Sequence, residues 1–368
     1  MLPNPALFQD PTVYHRRGRI TDYGIPDQVL NGDFPGGLKD LVTEDPRVRE
    51  EMVNIYVHWA LETDIDGFRI DTLKHVDYGF WDYFTPEVRR RLAAAGKSNF
   101  FMFGEAFDGD DALLGSYTQP GRLDSVFYFS QKFQVFGDVF QHGGPTRQIE
   151  RLYAMRDAHY GTVAQEGGIG VAPRDVLVNF LDNHDVSRFL YDAPDVGSLH
   201  AALAYLFTED GIPCVYYGTE QDFAGGNDPS NREPLWWSGY ATDGETFQLV
   251  ARLARVRRAY GALTRGSFAL RWVTDHVAAE EDAGIVAFER VTRESEYALV
   301  VINSQGRHAA HTADGATTMM VTAAAGSTLV DVLSGESIVV GAGGALTVDV
   351  AEYGARIYVP EAQVIAGL

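Results

Sequence analysis

Apolar residues along the first two thirds of the chain follow two alternating patterns, one with helical spacing and one in short runs. Asp45 and Pro46 are residue types that favour the N-cap and the first position of a helix. Apolar residues then follow at steps of four, three and four: Val48, Met52, Ile55 and Trp59. This spacing predicts an amphipathic helix.

Short apolar runs come next and alternate with segments of helical length. The runs cover 66–71, 100–104, 125–129, 176–181 and 213–217. The longer segments between them include 80–95, 146–158 and 199–208. Such alternation predicts an α/β fold with a parallel sheet and crossover helices.

The pattern changes after residue 265, where β-branched runs separated by Gly, Asn or Asp take over. These runs cover 284–291, 297–302, 317–322, 327–333, 337–340, 346–350 and 356–359, and they predict a C-terminal β-sandwich. Before them, Thr242 and Glu245 are spaced as a capping box for one more helix. We therefore expect an irregular segment over 1–44, a (β/α) domain over 45–265 and an all-β domain over 266–368.

Composition narrows the function classes. The 368 residues contain 30 Lys and Arg against 51 Asp and Glu, so the net charge is 30 − 51 = −21, which disfavours nucleic acid and anionic membranes as partners. The single cysteine excludes an internal disulfide. Residues 1–11 contain three prolines and no apolar run, so we expect that they are not a signal peptide, and no apolar run near 20 residues occurs in the sequence. We expect a soluble chain.

Charged residues stand at the ends of the predicted strands, where parallel α/β proteins place their active sites. Arg69 and Asp71 end the first run and share a face because they are two residues apart. They fit a nucleophile beside its cation, or an ordinary ion pair. Glu105 ends the second run in an apolar setting that favours a general acid, or it is a solvated strand-end glutamate.

A third run ends in four polar residues, 182–185, which fit either a polar cleft or a helix cap with a satisfied histidine. Two carboxyl groups with separated pKa values are what glycosidic bond cleavage requires. Several aromatic residues offer faces for stacking on sugars, although such residues are more often core: Trp81, Trp236, Trp237, Tyr216 and Tyr217.

Three of these motifs resemble strand-end motifs of the α-amylase family of glycoside hydrolases, in the family's order. They are GFRIDTLKH at 67–75, FGEA at 103–106 and FLDNHD at 180–185. The segment GIPCVYYGTE at 211–220 is similar to the family's eighth barrel strand, and 232–237 resembles the stretch that follows. The resemblance covers about 37–263 and extends to the C-terminal sandwich.

This resemblance implies a retaining hydrolase of α-glucosidic bonds in starch, glycogen or maltodextrins. Asp71 matches the nucleophile, Glu105 the general acid/base and Asp185 the transition-state stabiliser. Arg69 and His184 match residues that support the sugar losing its bond. Retention places the two catalytic carboxyls roughly 5 Å apart.

Lys74 and His75 match a pair that the family's endo-acting amylases use beyond the cleaved bond. A same-family transglycosylase is the nearest alternative, and a non-catalytic glucan-binding protein is another.

The chain departs from the family pattern upstream of Asp71, where the first family motif, Asp-x-x-x-x-His, is missing. The resemblance therefore implies a partial TIM (β/α)8 barrel, about strands 4 to 8, and an eight-stranded barrel needs all its strands to close. We expect a fragment, a barrel completed by a partner chain, or lost catalysis. The resemblance also implies a calcium site whose ligands are the His75 carbonyl, Asp40 and a third residue in the missing motif. Secretion is an expectation by analogy with the family.

Overall fold

The computed structural model describes residues 5–193 and 195–368. The chain divides into two compact units. The first contains the residues up to Phe129 together with Arg156–Leu177, and the second contains Ser130–Met155 and Val178–Leu368.

The α-helices are α1 (Pro26–Asn31), α2 (Pro46–Glu62), α3 (Tyr78–Ala94), α4 (Asp111–Ser116), α5 (Phe129–Gln131), α6 (Arg147–Ala154), α7 (Arg156–His159), α8 (Phe189–Asp192), α9 (Val196–Thr208), α10 (Glu245–Ala259) and α11 (Gly261–Arg265). A π-helix, Lys132–Gln141, continues α5. Short 3-10 turns cover Ala6–Gln9, Pro11–Val13, Leu73–His75, Pro173–Asp175, Thr219–Gln221, Leu235–Ser238, Ala342–Gly344 and Glu361–Gln363.

The strands of the α/β region are β1 (Gly67–Ile70), β2 (Phe101–Gly104), β3 (Ser125–Val126), β4 (Val178–Phe180) and β5 (Ile212–Cys214). The later strands are β6 (Ser267–Trp272), β7 (Ile285–Val291), β8 (Tyr297–Asn303), β9 (Ala310–His311), β10 (Ala313–Asp314), β11 (Thr317–Met320), β12 (Thr328–Asp331), β13 (Ser337–Val339), β14 (Ala345–Leu346), β15 (Asp349–Val350) and β16 (Ala355–Pro360).

The first unit contains a parallel sheet in the order β1-β2-β3. Its register places Ile70 beside Gly104, so the residues that follow these two strands start at the same level. Helix α2 begins where the sequence predicts, because the Asp45 carboxylate accepts the Arg47 N–H at 2.8 Å. Helices α2 and α3 pack together.

The second unit contains the parallel pair β4-β5 and the antiparallel C-terminal strands. Six strands form one sheet in the order β13-β12-β16-β8-β7-β6, and smaller sheets join β10-β11-β14 and β15-β9. One apolar core contains residues of both the large sheet and the small ones, among them Leu299, Val301, Met319 and Leu346. The predicted α/β fold with a C-terminal β-sandwich is therefore confirmed.

Several local predictions were wrong. Helix α10 begins at Glu245 with Gly244 as its N-cap and has no side-chain cap, so Thr242 forms no capping box. The predicted helix at 146–158 is two helices that meet at Met155. Helix α1 lies in the segment expected to be irregular. Within the residues that the structure describes, no helix is both long and apolar enough to cross a membrane.

Candidate active site

Three charged side chains meet at the carboxyl ends of β1 and β2. The Arg69 Nη1 atom lies 2.8 Å from Asp71 Oδ1, and its Nη2 atom contacts the Glu105 carboxylate. A guanidinium presents several N–H donors in one plane, so a single side chain can hold two carboxylates. The structure thus brings together the three residues that the sequence predicted at this edge.

The backbone explains why these residues meet. The Glu105 N–H donates to the Ile70 carbonyl at 2.7 Å, and the Leu73 N–H donates to the Glu105 carbonyl at 2.7 Å. Hydrogen bonding between the two segments thus continues beyond the strands. A Cβ on Gly104 would lie 2.5 Å from the fully buried Leu73 side chain, so only glycine permits this close approach without displacement.

The two carboxylates differ in exposure. The Asp71 side chain is 65% exposed, whereas that of Glu105 is 7% exposed. The Arg69 guanidinium between them lies 5.8 Å from the centre of the Phe127 ring, which gives this edge an apolar wall. A ligand therefore has direct access to Asp71, while Glu105 lies in a more shielded position.

Lys74 and His75 lie on the 3-10 turn after Asp71. The Lys74 ammonium donates to the Phe107 carbonyl at 2.5 Å. The His75 Nδ1 atom lies 3.0 Å from the Val29 carbonyl oxygen. Burial lowers the pKa of His75, and the hydrogen bond to Val29 opposes that effect only in part.

In the second unit, Asp185 is paired with two basic side chains. His184 Nε2 lies 3.1 Å from Asp185 Oδ2, and Arg232 Nη2 lies 3.6 Å from Asp185 Oδ1. The Arg232 Nε–H also donates to the His184 carbonyl at 3.2 Å. Arg232 was not among the predicted site residues. The sequence feature that could have identified Arg232 is its position: it is the first residue of the family-like stretch 232–237 and directly follows a polar loop.

The other two polar residues of the 182–185 run hold the backbone. Asp182 is buried and accepts hydrogen bonds from the Phe189 N–H and the Thr219 hydroxyl, both at 2.9 Å. Burial raises the pKa of Asp182. The Asn183 side chain accepts the Asp185 N–H at 2.8 Å. These contacts fix the turn that presents His184 and Asp185.

The aromatic candidates separate by exposure. Trp81 is buried and donates its Nε1–H to the Leu73 carbonyl at 3.3 Å, so it is a core residue. Trp236 and Trp237 are exposed on the turn Leu235–Ser238. Tyr216 contacts the Tyr217 ring and lies near the His184 imidazole.

The two calcium ligands implied by the sequence both lie in the first unit. The Asp40 carboxylate contacts the His15 imidazole, and burial raises the pKa of Asp40 to about 6. Calcium takes six to eight oxygen ligands, but no group of three or more His, Cys, Asp or Glu side chains suited to a metal occurs in residues 5–193 and 195–368. The residues present do not make a calcium site by themselves, so no catalytic step is assigned to a metal.

The chain is similar to known proteins in both sequence and fold. Residues 30–262 match the family model of the α-amylase catalytic domain. The chain is 36% identical over 314 residues to the beta/alpha-amylase of Paenibacillus polymyxa, covering 81% of this chain and 23% of that protein. It is 29% identical over 371 residues to the cyclomaltodextrin glucanotransferase of Bacillus sp. (strain 1011), covering 93% of this chain and 47% of that protein.

The fold is similar to a solved α-amylase from Malbranchea cinnamomea, with a TM-score of 0.79 and 26% identity over 99% of this chain and 70% of that one. The chain thus spans about a quarter to a half of the length of these two curated relatives. The family model alone covers more than half of the chain. The chain belongs to the α-amylase family of glycoside hydrolases.

Proposed function

We propose that this chain carries the catalytic residues of a retaining endo-hydrolase that cleaves α-1,4-glucosidic bonds in starch, glycogen or maltodextrins. One observation carries the proposal: the Arg69 guanidinium contacts the carboxylates of both Asp71 and Glu105. Retaining glycosidases need two carboxyl groups close enough to act on one anomeric carbon, and a shared cation keeps this pair together.

Asp71 is the proposed nucleophile because its carboxylate is open to a ligand. It attacks the anomeric carbon and forms a glycosyl-enzyme while Glu105 protonates the departing oxygen. Glu105 then removes a proton from water, which attacks the same carbon and releases Asp71. Arg69 aligns the two carboxylates and touches both. The predicted roles of Asp185 and His184 at the transition state, and of Lys74 and His75 beyond the cleaved bond, belong to the same proposal.

We also infer that strands β1 to β5 correspond to strands 4 to 8 of a TIM barrel, a reading supported by the parallel pairs β1-β2-β3 and β4-β5. The domain boundaries at 44/45 and 265/266 stay a prediction. Calcium binding through Asp40 and the His75 carbonyl also stays a prediction.

Transglycosylation is the second candidate, and the match to a cyclomaltodextrin glucanotransferase favours it. Both reactions share the glycosyl-enzyme and differ in whether water or a sugar hydroxyl attacks it. The products of maltoheptaose separate them, because transfer yields chains longer than the substrate and hydrolysis does not.

The test is reducing-end release from soluble starch by the 368-residue chain and its variants. We expect Asp71→Asn to lower kcat by at least about 10³-fold, within the range of rate effects that catalytic groups have. Asp66→Asn is the matched control, since Asp66 is a fully exposed carboxylate just before β1, and we expect full activity. Undiminished hydrolysis by Asp71→Asn contradicts the proposal.

Glu105→Gln tests the acid role. We expect it to impair starch cleavage far more than cleavage of an aryl maltoside with a good leaving group, because the latter needs little protonation. The anomeric form of the first product, followed by NMR, must match that of the substrate. An inverted product excludes the covalent mechanism.

A further inference from the structure

We propose that the turn after Arg232 and Glu233 forms an accessory α-glucan-binding surface. We call the side chains of Trp236, Trp237 and Tyr240 the aromatic platform. The choice of an α-glucan as the ligand rests on the proposed function. The existence of a binding surface rests on the exposure of these rings and on the hydrogen bonds that hold the turn.

The aromatic platform exposes an unusual amount of apolar surface. Trp236, Trp237 and Tyr240 are 65%, 69% and 63% exposed. Single exposed apolar side chains are common in folded proteins, whereas three large exposed rings within five residues concentrate apolar surface of the kind that marks binding sites. Trp81, by contrast, is buried in the other unit and gives no such surface.

The backbone under the platform is held by its own hydrogen bonds. The Trp237 N–H donates to the Pro234 carbonyl at 3.0 Å, and the Gly239 N–H donates to the Trp236 carbonyl at 3.1 Å. The Tyr240 N–H donates to the Ser238 hydroxyl at 3.1 Å. The rings therefore stand on an ordered turn, and a ligand need not order that backbone on binding.

The turn is anchored at its start by a buried arginine. Arg188 is fully buried and donates its Nε–H to the Glu233 carboxylate at 3.1 Å. The same carboxylate accepts the Gly225 N–H at 2.5 Å. Arg188 also donates to the Tyr217 carbonyl at 2.6 Å. Glu233, which directly precedes Pro234 at the start of the turn, thus ties the turn to the loop after β5.

The same segment leads directly to the candidate site. Arg232, which contacts Asp185 and the His184 carbonyl, lies four residues before Trp236. A glucan held on the platform would thus lie on a segment continuous with residues of the site. This continuity favours the substrate polymer as the occupant over an unrelated molecule.

The chemistry of the platform fits α-glucans. Each glucopyranose ring presents a nearly flat patch of C–H groups, and the face of an aromatic ring is electron-rich and apolar. Indole and phenol rings also have polar edges that tolerate the surrounding hydroxyl groups and water. Nucleobases would stack on the same rings, but the net charge of −21 opposes binding of a polyanion.

The experiment measures binding separately from turnover. The Asp71→Asn chain is run in native gels containing amylopectin, so that hydrolysis does not change the polymer. We expect W236A/W237A in that background to weaken retention, with the apparent Kd for amylopectin rising about tenfold or more. W236F/W237F should restore most of the retention, since it keeps aromatic faces.

Trp59→Ala is the matched control, because Trp59 is 54% exposed on α2 and lies outside the platform. We expect it to leave retention unchanged, and thermal unfolding of every variant confirms that each is folded. If a folded W236A/W237A variant is retained by amylopectin as strongly as the Asp71→Asn chain, the platform is not a binding surface. The same holds if Trp59→Ala weakens retention as much as W236A/W237A does. Retention by the platform together with undiminished hydrolysis by Asp71→Asn overturns the proposed function alone. Absence of retention in the Asp71→Asn chain overturns an α-glucan as the ligand of the platform.

Discussion

Gly104→Ala should destabilise the first unit because of a single steric conflict. A Cβ at this position would lie 2.5 Å from Leu73 Cδ1 and 2.7 Å from Leu73 Cδ2 and Cγ, while ordinary contacts begin at 3.4 Å. The shortest contact must therefore open by 3.4 − 2.5 = 0.9 Å. Leu73 is fully buried and has little room to move. Overpacking of this kind costs about 1–3 kcal/mol.

The same displacement affects the candidate site. The Leu73 N–H is bonded to the Glu105 carbonyl at 2.7 Å, so a shift of Leu73 strains the segment that carries Glu105. We expect Gly104→Ala to lower kcat of any glucan hydrolysis as well as stability. The backbone conformation at Gly104 is not the cause, since its φ is not positive.

Urea unfolding followed by circular dichroism measures the effect. Gly244→Ala is the control, because Gly244 has a φ of −63° and a Cβ there would meet nothing within 4 Å. Leu73→Ala alone should cost about 2–5 kcal/mol. The double variant with Gly104→Ala should cost less than the sum, because the smaller side chain makes room for the new methyl group. Additive costs, or a Gly104→Ala midpoint equal to that of Gly244→Ala, would refute the steric argument.

Three further predictions concern the second unit. Burial lowers the pKa of His200, whose Nε2 contacts the Thr246 hydroxyl at 2.8 Å. As the pH falls below about 6.5, His200 therefore takes up a proton in the unfolded chain before it does so in the folded chain. The free energy of unfolding should drop in that range by at most about 1.4 kcal/mol per pH unit. Urea midpoints from pH 7.5 to 5 should fall less steeply for His200→Gln, and identical slopes count against this. Thr146→Val removes the hydroxyl that accepts the Thr274 N–H at 2.9 Å, and urea unfolding should show a loss of about 1–3 kcal/mol in the free energy of unfolding. Thr146→Ser keeps a hydroxyl and should lose less. Equal losses would contradict the hydrogen-bond account. Burial raises the pKa of the Cys214 thiol, so iodoacetamide at pH 8 should alkylate the folded chain more slowly than the same chain in guanidinium, and equal rates would show that the thiol is not shielded.

Much of the local structure could be predicted from the sequence. The start of α2 follows from Asp45 and Pro46, since capping depends on residues adjacent in the chain. The strands β1, β2, β7 and β8 follow from dense apolar runs. The capping box at Thr242 failed because Gly244 serves as N-cap instead. Strands β9 and β10 have only two residues each, too few for any periodicity to be read.

The candidate site also contains some residues that the sequence predicted and others that only the fold identifies. Strand-end positions left Asp71 and Glu105 open to ordinary structural roles, and the family resemblance of 67–75 and 103–106 predicted them as a pair. The two residues meet because residues at the ends of neighbouring parallel strands share an edge. No local pattern identified Arg188, because its importance comes from burial against Tyr217 and Glu233, which are 29 and 45 residues away along the chain. The four polar residues at 182–185 look alike in sequence, yet only the fold separates buried Asp182 from the partly exposed Asp185.

The sequence by itself determined the alternation of strands and helices before residue 265, the β-rich segment after it and the family, since these depend on neighbouring positions and short spacings. Only the tertiary structure decided that one guanidinium holds both Asp71 and Glu105, that Trp81 is core and that Trp236 and Trp237 face solvent. Burial and contact between distant residues arise when elements pack, and no pattern within one element contains that information.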